Sequence, residues 1–96
     1  MSISVTITVT AAEGKFEEFR DKLLANLPVT KEFEGLEALR LIAPNDPSDT
    51  LVLIEEWSSV DAYNAYKAFR AESGTSALKP ELIAGPPNVV FGEILF

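Results

Sequence analysis

Near the start of the chain Ile3, Val5, Ile7 and Val9 alternate with Ser4, Thr6, Thr8 and Thr10. A period of two in β-branched residues predicts a strand with one buried face. The period then lengthens. Thr10 and Glu13 stand at capping-box spacing, and Phe16, Phe19, Leu23 and Leu27 recur at helical intervals with charged residues between them. This predicts an amphipathic helix over residues 13–27, closed by Pro28. Residues 36–43 (LEALRLIA) and 50–57 (TLVLIEEW) read as strands on either side of six turn formers, Pro44 to Asp49, and so predict an antiparallel hairpin. Ser58 is placed to cap a second helix over residues 61–71, with Asp61 at its third position and Ala62, Tyr63, Tyr66 and Phe69 as its apolar stripe. After a stretch of small residues, Pro80 fits the first position of one short helical turn, which Gly85-Pro86-Pro87 stops. Residues 88–96 (NVVFGEILF) are apolar on both faces except for Glu93 and read as a strand covered on both sides.

The order β-α-β-β-α-β predicts an α+β, ferredoxin-like fold: a four-stranded antiparallel sheet with two helices on one face. Leu39, Leu41, Val52, Ile54, Val90 and Ile94 make both faces of that sheet apolar, although the chain's own helices cover only one. A second copy of the chain is the simplest cover, so a homodimer is expected. At 96 residues, one domain spanning 1–96 is expected, with a single core.

Composition narrows the chemistry. Fifteen acidic against eight basic side chains give a net charge of −7, which disfavours nucleic acid and anionic membrane surfaces as partners. No run approaches the ~18 apolar residues of a membrane span, and a cytoplasmic location is the default expectation. The absence of cysteine and histidine removes thiolate nucleophiles, imidazole bases and the commonest transition-metal ligands. Glu17, Glu18, Asp21 and Glu34 show no spacing that converges carboxylates on a metal, and the five glycines form no phosphate-binding or dinucleotide fingerprint. No metal and no cofactor is expected.

Three segments carry a resemblance to a known family. Residues 11–19 read A-x-E-G-K-x-x-E-F, Glu55-Glu56-Trp57 gives E-x-W followed by S-S-x-D-A through Ala62, and Gly85-Pro86-Pro87 precedes the last strand. In these motifs and their order, the chain resembles the antibiotic biosynthesis monooxygenase family of dimeric α/β barrels. The resemblance implies a homodimer with its two sheets packed together and a pocket in each subunit between helices and sheet. It also implies one of several activities: cofactor-free oxygenation of aromatic polyketides, quinol oxygenation or haem degradation. Many members have no known reaction. Members that degrade haem look to need a histidine nine or ten residues after the Trp, where this chain has Tyr66 and Lys67. A tyrosinate is the only substitute ligand at that place, which speaks against haem.

The leading expectation is a small cofactor-independent monooxygenase acting on an electron-rich aromatic or quinol-like molecule. The alternatives are a non-catalytic barrel that binds a small apolar ligand, and an isomerase or lyase using one carboxylate. Trp57 serves either as a pocket wall or as core packing. Tyr63 and Tyr66 lie three apart on one helix face, and Tyr66, beside the family's histidine position, is the candidate for a functional hydroxyl. Glu55 and Glu56 point to opposite faces of their strand, so at most one serves a given pocket; buried there, it would be a general base with a raised pKa. A hairpin register centred on the turn sets Arg40 opposite Leu53 with Glu55 diagonal to it, either orienting an anionic substrate oxygen or bridging strands at a dimer rim. Phe16, Phe19 and Phe69 are core residues that also make any adjoining pocket greasy. The candidate catalytic residues are therefore Trp57, Tyr66 and Glu55, and the candidate substrate contacts are Phe19, Arg40, Trp57, Tyr63 and Phe69.

Overall fold

The elements run β1 (Ile3–Thr10), α1 (Phe16–Lys31), β2 (Leu36–Ile42), β3 (Thr50–Trp57), α2 (Val60–Ser73) and β4 (Asn88–Glu93) in a computed structural model that describes residues 2–96. The four strands form one antiparallel sheet in the order β2-β3-β1-β4, the ferredoxin-like arrangement that the element order predicts. The alternation in β1 decides the layering. Val5, Ile7 and Val9 are buried under the helices with Leu51, Leu53 and Trp57 of β3, and Phe19 and Leu23 of α1 pack onto them. Among the described residues no helix is long and apolar enough to cross a membrane.

Four boundaries differ from the expected ones. Thr10 stays paired with Thr50 in the sheet and so cannot cap α1; a turn through Gly14, at φ +75°, separates strand from helix, and Lys15 occupies the cap without a side-chain bond. Pro28 lies inside α1 instead of ending it. A proline removes one helical hydrogen bond, and the turn beyond it persists because buried Thr30 is bonded to α2. The cap of α2 is Ser59, whose Oγ accepts from the Ala62 amide at 3.1 Å, one residue later than expected. Around Pro80 the chain makes a hydrogen-bonded turn, Leu82 to Lys79, and then bridges back from Ile83 to Ala11 where a short helical turn was expected.

One further difference lies in the sheet. β4 stops at Glu93, and all six of its residues are exposed, not covered on both sides. Leu39 and Leu41 pair with Glu55 and Leu53 and therefore face the helices, whereas Val52, Ile54, Ile42 and Val90 lie on the uncovered face. That face also carries Ser4, Thr6 and Thr8 along β1, and Arg40 and Glu56 beside Ile54, so it is an apolar surface with a hydroxyl stripe and one charge of each sign.

Candidate functional site

Along β3 every second side chain is buried: Leu51, Leu53, Glu55 and Trp57. The third of these positions holds a carboxylic acid where the pattern demands a hydrocarbon. Glu55 is 2% exposed, and its Oε1 accepts a 2.8 Å hydrogen bond from Nε1 of Trp57 two residues on, which the pleat places on the same face. Its Oε2 makes no hydrogen bond among the described residues, and no buried side-chain polar atom there is left without a partner, so Oε2 is turned towards open space. Burial raises the pKa of Glu55, and the Trp57 bond to the charged form opposes this only in part.

The open space is a cavity of about 220 Å³ between the sheet and both helices. Its floor is Ile7, Leu53 and Glu55; α1 contributes Leu23, Asn26, Leu27 and Thr30, and residues 76–78 close one side. The α2 wall is Tyr63, Tyr66, Lys67, Arg70 and Ala71, an i, i+3, i+4, i+7, i+8 set that shares one helical face. The Tyr63 hydroxyl has no partner among the described residues. Burial, followed by the neighbouring Glu55 and Tyr66, pushes its pKa up to about 12, which keeps it a neutral hydrogen-bond donor at physiological pH.

Arg70 organises the far end. Nε donates to the Tyr66 hydroxyl at 2.8 Å and Nη1 to Thr75 Oγ1 at 3.0 Å, while Nη2 donates to the Asn26 carbonyl at 2.9 Å and to Thr30 Oγ1 at 3.0 Å. Tyr66 and Thr30 close the network at 2.7 Å. The guanidinium, 7% exposed as a residue, thus joins α1, α2 and the chain after α2 through neutral acceptors alone. The ion pairs among the described residues, Lys15–Glu18 and Arg20–Asp21, lie elsewhere.

The cavity brings together three of the residues singled out from sequence, Glu55, Tyr63 and Tyr66. Trp57 and Phe19 are fully buried behind it, Trp57 in an aromatic cluster with Phe33, Tyr63 and Tyr66 at centroid distances of 5.3 to 6.3 Å. Phe69 sits outside against Phe33 at 5.4 Å. Arg40 is the clear correction. It pairs with Ile54, one residue from the expected register, and so lies on the opposite face of the sheet from Glu55. A one-residue slip reverses every side chain, and an irregularity between Leu36 and Ala38 absorbs the extra residue. Sequence reasoning missed Arg70, Asn26 and Thr30. For Arg70 the signal was present, since it continues the Tyr63–Tyr66 face by one more turn.

A family model, antibiotic biosynthesis monooxygenase, matches residues 2–71, most of the chain. This chain belongs to that family. Solved structures extend the likeness to the whole fold. Rv0793 from Mycobacterium tuberculosis superposes with a TM-score of 0.87 at 21% identity, covering 100% of this chain and 97% of that one. PA3566 from Pseudomonas aeruginosa gives 0.82 at 19% identity over 99% and 95%. SnoaB from Streptomyces nogalater, a cofactor-independent oxygenase, gives 0.81 at 17% identity over 99% and 94%. No curated protein matches by sequence. Tyr66 and Lys67, nine and ten residues after Trp57, both line the cavity.

Proposed function

We propose that the chain is a cofactor-independent monooxygenase acting on a small electron-rich aromatic compound in the cavity above Glu55. The reading is carried by one observation: a buried carboxyl with raised basicity and one uncommitted oxygen faces an apolar, aromatic cavity. The family and the likeness to SnoaB support the reaction class. A cavity of about 220 Å³ exceeds the ~150 Å³ that admits benzene in an engineered core, so it has room for an aromatic ring system at Glu55.

In this reading Glu55 removes a proton from an activated ring methylene or phenol, and the apolar part of the lining, Ile7, Leu23, Leu27 and Leu53, limits solvation of the resulting anion. Tyr63, a neutral donor, bonds the oxygen on which the negative charge develops. The anion passes one electron to dioxygen, and the radical pair joins into a peroxide that takes up the proton. For a methylene carbon, loss of water from the hydroperoxide leaves a carbonyl: CH2 plus O2 becomes C=O plus H2O, with one oxygen in each product.

Oxygen uptake across a panel of hydroquinones and anthrones tests this. Turnover above buffer is expected, with Glu55→Gln lowering kcat at least ~100-fold, the usual contribution of a general base. No uptake across the panel, or full activity in Glu55→Gln, defeats the reading.

We also infer that the functional unit is a homodimer formed through the uncovered sheet face. Ile42 and Val90, 41% and 55% exposed, and half-buried Val52 and Ile54 make it an apolar surface suited to a second copy.

A further inference from the structure

The cavity has a polarity that the oxygenase reading does not use. Its carboxyl lies on the floor, in β3, while both cations, Lys67 and Arg70, stand on the α2 wall three residues apart. In a chain of net charge −7, neither has an ion-pair partner among the described residues. A buried guanidinium without a counter-charge is costly, and four neutral acceptors offset that only partly. A guanidinium has five N–H groups. The bonds to Tyr66, Thr75, Asn26 and Thr30 use four, leaving one on Nη1. Among the described residues Lys67 makes no hydrogen bond; it packs over the Tyr63 ring at 5.7 Å and lines the cavity, within reach of a ligand there.

We propose that this wall is an anion subsite and that the ligand is an aromatic acid: its ring lies over Leu53 and Ile7, and its carboxylate meets Lys67 and the spare Nη1 hydrogen of Arg70. This rests on the oxygenase reading for the cavity but not for turnover. Such a ligand supplies the missing counter-charge, with its carboxylate on the α2 wall and its ring towards the β3 floor. A neutral quinol of the same size leaves the guanidinium uncompensated and binds more weakly.

Calorimetric titration with 2-naphthoate and its neutral isostere 2-naphthamide decides the matter. The acid is expected to bind about tenfold or more tightly than the amide, and the ratio is expected to shrink as salt is raised from about 20 to about 500 mM. Lys67→Met, at an exposed position, should cut the ratio at least threefold, and Arg70→Met should cut it further if it folds. Equal affinities, no binding of either probe, or an unchanged ratio in Lys67→Met overturns the proposal. Neither probe carries an activated methylene, so the outcome is independent of turnover. Acid preference without oxygen uptake on any hydroquinone or anthrone retains this subsite and removes the oxygenase reading. Uptake with equal probe affinities does the reverse.

Discussion

Glu55 is the residue on which the site and the stability of the chain meet. Its folded-state pKa is raised above the ordinary 4.5, chiefly by burial. The native carboxyl therefore keeps its proton to higher pH than the unfolded one, and unfolding releases a proton within that window. Stability must then fall as pH rises from 4.5 through the raised value and level off beyond it. In Glu55→Gln, which keeps an oxygen acceptor for Trp57, thermal melts across this range should be flatter than wild type and higher at the upper end; parallel curves would contradict the assignment. Glu55 was legible in the sequence because strand alternation fixes its face. The helical face indicated where Arg70 points, but its partner Thr30 was harder, because nothing local tells that a residue on α1, 40 positions away, turns inward to bond it. Arg40 was misplaced for a different reason. Its face depends on the parity of the hairpin register, and a six-residue turn with an irregularity further along the strand leaves that parity open.

At the scale of elements, strand and helix identities followed from period alone, while helix ends did not. The extension of α1 past Pro28 is a tertiary effect, since Thr30 is held by Tyr66 and Arg70. The connection into β2 depends on Gly35. Its φ is +95°, its carbonyl accepts from the Ser58 amide at 2.8 Å, and a Cβ there would lie 2.6 Å from Ala62 Cβ. Gly35→Ala combines left-handed strain with a collision against α2 and is expected to cost about 2–4 kcal/mol in urea unfolding. Gly74, which caps α2 at φ +65° with nothing within 4 Å, is the control: alanine there should cost about 1 kcal/mol. Equal losses at the two positions would show that contact with α2 is not what fixes Gly35.

At the scale of the whole molecule, the sheet is half clothed. Helices cover the face bearing Val5, Ile7 and Val9, and the other face, with Ile54, Val52 and the Thr6–Thr8 stripe, is left for the homodimer we infer. Sedimentation at micromolar concentration should give twice the 10.5 kDa chain mass, and Ile54→Lys should shift it to monomer. A stable wild-type monomer would remove the dimer. The place of β1 in the strand order has a consequence of another kind. Its partners are β3 and β4, whose residues begin at positions 50 and 88, so neither flank can close until a long stretch of chain has been brought back. Loop closure comes before any reward from pairing, so folding waits on distant encounters and should be slow for a chain of this length. Until then Ile3, Val5, Ile7 and Val9 form a β-prone segment open to any passing strand, and the interval between synthesis and closure is when this protein is most exposed to aggregation.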